Sequence, residues 1–204
     1  MSDERPFVLC LTGSLGMGKS RTATFFAEAG VPVHDSDAAV HALYEGEAAP
    51  LIEGAFPGTT AGGKVDRATL AAMVLGDDAA LARLEAIVHP LVSKVRDKFL
   101  ADAQARGAAV VVLDVPLLFE TGGQGNCDAV VVVSAPPEIQ RRRAFERPGM
   151  TEEKFTAFMA KQMPDVEKRR RADFIVDSSQ SFDHARAQVR DILRAVAKMR
   201  PERR

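Results

Sequence analysis

The segment Phe7-Val8-Leu9-Cys10-Leu11-Thr12-Gly13-Ser14-Leu15-Gly16-Met17-Gly18-Lys19-Ser20 decides how the chain is read. Its first six residues are an apolar run that ends in glycines, the pattern of a buried strand feeding a loop. The rest is a complete G-x-x-x-x-G-K-S. Gly13, Gly16 and Gly18 let the backbone turn and bring its N–H groups close to phosphate oxygens. Lys19 supplies a point charge for β- and γ-phosphates, and the Ser20 hydroxyl is a Mg²⁺ ligand. A helix predicted from about Lys19 to Ala29, stopped by Gly30, aims its positive end at the same anion. With glycine at about 7 % of residues, a chance match in a chain this long is on the order of one in a hundred.

Outward from this loop, short apolar runs alternate with helical stretches. Val31–His34, Ala109–Asp114, Ala129–Val133 and Phe174–Val176 read as further strands. Leu81–Ala105, Pro137–Arg147, Thr151–Met163 and Phe182–Met199 read as helices. Such alternation predicts an α/β fold, a doubly wound five-stranded parallel sheet covered on both faces. More than about 70 residues separate the second and third strands, where a simple crossover needs roughly 30 in all. This interval is read as an inserted helical subdomain for an acceptor, over about 41–107. The core takes about 1–40 and 108–204, and a lid about 143–163.

The chain has 204 residues, a formal net charge of −1, 46 % hydrophobic and 27 % charged residues. That is an ordinary globular balance with no basic field to recruit nucleic acid or an anionic membrane. The longest apolar runs fall far short of the roughly 20 residues that span a bilayer. The charged start, Met1–Phe7, does not read as a signal peptide. The expected setting is therefore the cytoplasm. Cys10 and Cys127 sit in or beside apolar runs and are expected to be buried, reduced thiols rather than a disulfide or metal pair.

A reader of guanine would carry Asn-Lys-x-Asp, but the single asparagine, Asn126, precedes Cys127. The chain is also short for a motor or remodelling ATPase, so a small-molecule kinase fits best. Asp35-Ser36-Asp37 follows the second strand, at the strand end where doubly wound sheets bind ligands. A carboxylate there could take a proton from an acceptor hydroxyl or hold a Mg²⁺-bound water. The same residues could instead cap a helix, with Ser36 or Asp37 opening the run Ala38–Leu43. Asp114, closing the third strand, resembles a Walker B carboxylate, or is a turn former before Pro116. Arg143 and Arg147, four apart, could close as a lid on the transferring phosphoryl group, or lie on a solvated basic face with Arg141 and Arg142. The run Arg169-Arg170-Arg171 reads as solvated.

Together these residues resemble the dephospho-coenzyme A kinase family. The likeness runs through Leu11-Thr12-Gly13…Gly18-Lys19-Ser20, Asp35-Ser36-Asp37, Asp66-Arg67…Leu70 and His89-Pro90-Leu91. It continues through Pro116-Leu117-Leu118-Phe119-Glu120, Gln140…Arg143…Arg147, Gln162 and Arg171-Ala172-Asp173…Val176-Asp177. The resemblance implies ATP with Mg²⁺ as cofactors, dephospho-coenzyme A as acceptor, and a monomer or small homo-oligomer. It implies Asp37 as the general base for the ribose 3′-hydroxyl. Thr12, Lys19 and Arg143 would handle phosphate, and Gly13, Leu15, Gly16, Met17, Gly18, Ser20, Arg21 and Arg147 would hold the nucleotide. Arg67, His89, Leu117 and Glu120 would meet the acceptor, and Ser20 and Asp114 the metal. The loop departs from the common family form at Ser14, Leu15, Met17 and Arg21. Arg21 replaces a small hydroxyl near the metal, and Ser178 stands where the family often has Asn.

Overall fold

In the computed structural model, residues 5–199 are described. Along the chain run β1 (Phe7–Thr12), α1 (Lys19–Glu28), β2 (Val33–Asp35), α2 (Ser36–Tyr44), α3 (Ala49–Ala55), β3 (Thr60–Ala61) and β4 (Lys64–Val65). Then come α4 (Arg67–Val74), α5 (Asp78–Ala105), β5 (Val110–Asp114), β6 (Ala129–Ser134), α6 (Pro137–Phe145), α7 (Glu152–Ala160), α8 (Asp165–Arg170), β7 (Phe174–Asp177) and α9 (Phe182–Met199). The chain divides into two units, Asp35–Asp102 and the chain on either side of it.

The larger unit is built on a five-stranded sheet in the order β2-β5-β1-β6-β7. The central strand β1 pairs in parallel with β5 (Phe7↔Val110 to Leu11↔Asp114) and with β6 (Leu9↔Ala129 to Thr12↔Val132). β6 pairs in parallel with β7 from Val131↔Phe174 to Ser134↔Asp177. Every residue of β1 and β6 is buried, as a parallel sheet covered on both faces demands. One covering layer is α1 against α9. Ala185, Val189, Ile192 and Val196 recur at helical spacing on α9 and join Leu9, Leu11, Phe25, Phe26, Val131 and Val133 in one apolar cluster. Gln188 clips the end of β7 to this helix, accepting from Asp177 N and donating to Asp177 O, each at 2.9 Å.

The smaller unit is helical and has its own core of Leu43, Ile52, Phe56, Leu70, Leu84 and Val88. Asp66 caps α4, accepting from the N–H groups of Ala68 and Thr69. Helix α5 continues through Pro90. A short hairpin, β3–β4, turns on Gly62 and Gly63, both at positive φ. Glu53 holds its base by accepting from Gly58 N and Thr60 N and Oγ1.

The two cysteines are not free thiols. Cys10 and Cys127 form a disulfide with a Cα–Cα distance of 5.6 Å. Cys10 lies in β1 beside Val130 of β6, and Cys127 stands two residues before β6 begins. Asp128 N donates to Val8 O at 2.8 Å, and the 3₁₀ turn Gly123–Asn126 ends just before Cys127.

Candidate active site

The phosphate loop follows β1, the middle strand of the sheet, which stops at Thr12. Two glycines are required by close approach. A Cβ on Gly13 would lie 2.7 Å from Val133 O, and one on Gly16, at φ +80°, would lie 2.4 Å from Gln140 O. Gly18 opens α1 at φ 86° with no side-chain cap, and no acidic residue stands in the first helical turn. The first amides of a ten-residue helix are thereby left to an anion. Ser14 is buried and its Oγ has no hydrogen-bond partner. These features fit a nucleotide's phosphates, with Ser20 exposed at the helix start to join a metal bound to them.

Lys19 meets Asp114 in a direct ion pair, Lys19 Nζ to Asp114 Oδ1, with both side chains largely shielded. The cation and the carboxylate at the end of β5 therefore belong to one constellation at the loop. Thr12 is fully buried and its Oγ1 donates to Pro116 O at 3.0 Å. Its hydroxyl ties the end of β1 to the segment after β5. Met17, whose side chain is buried, accepts from Ala135 N through its sulfur at 3.1 Å.

Arg143 sits at the loop. Its Nη1 donates to Ser178 Oγ at 2.8 Å and its Nη2 to Ser178 O at 2.7 Å, while Ser178 Oγ donates to Met17 O at 2.7 Å. A Cβ on Gly18 would lie 3.6 Å from Arg143 Nη1. Ser178 is thus a bridge between α6 and the phosphate loop, a role that its position at a strand end did not disclose. Arg147 does not share a helical face with Arg143, because α6 ends at Phe145 and Arg147 is exposed in the following turn. Arg142 is exposed. Arg141 is engaged by Glu152 and lies over the rings of Phe145 and Phe155.

Arg21 and Glu120 each engage another part of the chain. Arg21 turns to α9, its guanidinium 5.0 Å above the Phe182 ring, so it packs the outer face of α1. Glu120 is bound within the larger unit. Its Oε1 accepts from Met163 N at 2.8 Å and lies 2.9 Å from the ammonium of Lys168, whose side chain is 0 % exposed. Burial pushes the Glu120 carboxyl up, but Lys168 and the Met163 N–H pull it further down, below the ordinary glutamate value. Leu117 remains partly exposed in the turn after β5.

In the helical unit, Asp35 is the cap of α2. Its Oδ1 accepts from Ala38 N at 2.9 Å, in the place expected for Ser36 or Asp37. Asp37, in the first turn of α2, is exposed and is not spent on the cap. Arg67 is exposed at the start of α4 and lies close enough to Tyr44 to act on its phenol, whose own pKa burial raises. His89 is exposed on α5.

A five-stranded parallel sheet with a G-x-x-x-x-G-K-S loop at its central strand, paired with an acidic strand end, defines a P-loop kinase. The match to the family model for dephospho-CoA kinases covers residues 7–184, and the chain belongs to that family, which catalyses the last step of coenzyme A biosynthesis. It is 61 % identical over 197 residues to a dephospho-CoA kinase of Rhodopseudomonas palustris strain BisB18, covering 97 % of this chain and 98 % of the relative. It is 64 % identical over 186 residues to one from Mesorhizobium japonicum, covering 91 % and 94 %. Among solved structures, a Thermus thermophilus protein superposes with a TM-score of 0.84 at 33 % identity, over 94 % of this chain and 98 % of that one. Shikimate kinase from Acinetobacter baumannii shares the fold, with a TM-score of 0.53 at 17 % identity over 95 % and 94 %.

Proposed function

We propose that the chain transfers the γ-phosphate of ATP, with Mg²⁺, to the ribose 3′-hydroxyl of dephospho-coenzyme A, giving coenzyme A and ADP. The observation that carries this is the Lys19–Asp114 pair set beside a glycine-built phosphate loop, in a chain of this family. Ser20, with Asp114 behind it, would hold Mg²⁺, which when bound would neutralise charge on the phosphates. The chain's own residues position and neutralise. Lys19 and the α1 amides hold the β- and γ-phosphates, Ser20 and Asp114 fix the metal side, and Arg143 meets the group in transfer. Asp37 takes the hydroxyl proton, and Arg67, His89 and Leu117 hold the acceptor, with Asp35–Asp102 as the acceptor-binding unit. Residues about 143–163 form the lid, and Arg147, exposed beside it, binds nucleotide.

Among the described residues no helix is long and apolar enough to cross a membrane. We place the activity in the cytoplasm, acting on a small molecule rather than on nucleic acid, as a monomer or small homo-oligomer. A coupled ADP assay with ATP and a panel of acceptors tests the proposal. ADP should form with dephospho-coenzyme A and not with shikimate, gluconate or nucleosides. ADP release independent of any acceptor would point to a nucleotide switch instead.

A further inference from the structure

The third residue of the phosphate loop is gripped from outside the loop. Leu15 N donates to Gln162 Oε1 at 3.1 Å, and Leu15 O accepts from Gln140 Nε2 at 2.8 Å. Both polar groups of one peptide residue are thereby held by glutamine side chains. Gln140 stands on α6, and its own backbone carbonyl is the atom that forbids a Cβ at Gly16. Gln162 stands in the turn between α7 and α8. The next residue, Met163, donates its N–H to Glu120, whose carboxylate is anchored by the buried Lys168. Two neighbouring residues of one turn are thus pinned, one to the phosphate loop and one to the segment that follows β5. Gln162 and Gln140 touch none of the reacting groups assigned above, so their chemistry must act through Leu15.

We propose that Gln162 is a positioning residue for phosphoryl transfer: through the Leu15 N–H it holds the first turn of the phosphate loop in its binding shape and couples that loop to the α7–α8 turn. A loop arranged before the nucleotide arrives loses less freedom on binding it, so the grip raises affinity for the phosphates. The inference rests on the kinase reading but not on the identity of the acceptor. Loss of one neutral hydrogen bond corresponds to about a 2- to 12-fold change in an equilibrium constant.

The test is ADP binding by calorimetry, which needs no acceptor, beside kinetics with ATP. Gln162→Met keeps the length of the side chain and removes the acceptor. It should weaken ADP binding by about 3- to 10-fold, lower kcat/KM for ATP by the same factor, lower the melting midpoint by no more than about 1–5 °C, and leave the acceptor KM unchanged. Gln162→Glu keeps an acceptor for Leu15 N–H but sets a carboxylate beside the phosphates, so it should preserve the protection of the Leu15 amide without preserving ADP affinity. In the wild-type protein without nucleotide, amide exchange at Leu15 should be slow, and in Gln162→Met fast. Wild-type ADP affinity in Gln162→Met, or fast Leu15 exchange in Gln162→Glu, overturns the inference. So does rapid Leu15 exchange in the wild-type protein, whatever the variants do. Failure of dephospho-coenzyme A as acceptor would leave all of these binding results in place, so the two readings fail separately.

Discussion

Lys168→Met probes the least exposed charge in the larger unit. The lysine side chain is 0 % exposed and that of its partner Glu120 is 15 % exposed. Removing one member of a buried pair costs about 3–5 kcal/mol, because the remaining charge is stranded. Glu120 keeps the Met163 N–H and a little solvent, so the lower end, about 3 kcal/mol, applies here. For a chain of 204 residues each kcal/mol moves the midpoint by about 2–4 °C, giving a fall of about 6–12 °C. The pH dependence is a second signature. In the wild type the Glu120 pKa is lowered by folding, so its contribution is complete above the unfolded value near about 4.3 and is lost as pH falls through the folded value. In the variant the lysine is gone while the burial remains, which raises the folded pKa. That group then stabilises the variant as pH falls. The gap between the two melting midpoints, followed by scanning calorimetry, should narrow from pH 8 to pH 5, and Glu120→Gln added to Lys168→Met should recover part of the loss. A midpoint within about 2 °C of wild type, or a gap that ignores pH, would refute the reasoning.

Three further outcomes follow from the site. Asp37→Asn should lose about 10²–10⁴-fold in kcat with ATP affinity unchanged, whereas Asp35→Ala should lose only a cap, about 0.5–2 kcal/mol of stability; kinetics beside melting curves separate them. Arg143→Ala should cut kcat with little change in acceptor KM, Arg143→Lys should recover part, and the exposed Arg142→Ala should be near wild type, since an ammonium cannot copy the fork that grips Ser178. Reducing Cys10–Cys127, which closes a separation of 117 residues, should remove about 4–5 kcal/mol on the chain-entropy account and lower the midpoint by roughly 8–20 °C. Thiol titration before and after dithiothreitol checks the state of the pair, and an unchanged midpoint after full reduction would defeat that estimate.

The sheet was legible because most of its strands are apolar runs: β1 stops before a glycine, β5 and β7 at an aspartate, and β6 at Ser134 ahead of Ala135-Pro136. Phe7–Thr12 is found with the same bounds in the structure, and the other four strands differ by a residue or two at their ends. The helices α1 and α9 announced themselves by Gly30 and by apolar residues at helical spacing. Helix α8 did not, since Asp-Val-Glu-Lys-Arg-Arg has one apolar residue and buries only its lysine. Nothing in a basic run distinguishes Lys168 from the arginines after it, because its partner Glu120 lies 48 positions earlier in the chain. The β3–β4 hairpin was open to detection through Gly62-Gly63, whose positive φ values suit a tight turn. At the site, the phosphate loop could be read from residue types alone, whereas the tasks of Ser178, Gln140 and Thr12 depend on which strand ends and helices meet. The disulfide was hidden for the same reason.

The central claim is a chemical one, that phosphate arrives at one hydroxyl of one acceptor. Incubating the wild-type protein and Lys19→Ala with ATP, Mg²⁺ and dephospho-coenzyme A, and following ³¹P resonances with mass spectrometry, measures it directly. The wild type should yield ADP and a 3′-phosphorylated product in equal amounts, coenzyme A, and Lys19→Ala should yield neither. Phosphate appearing at another position, or as free inorganic phosphate in step with ADP, would contradict the account.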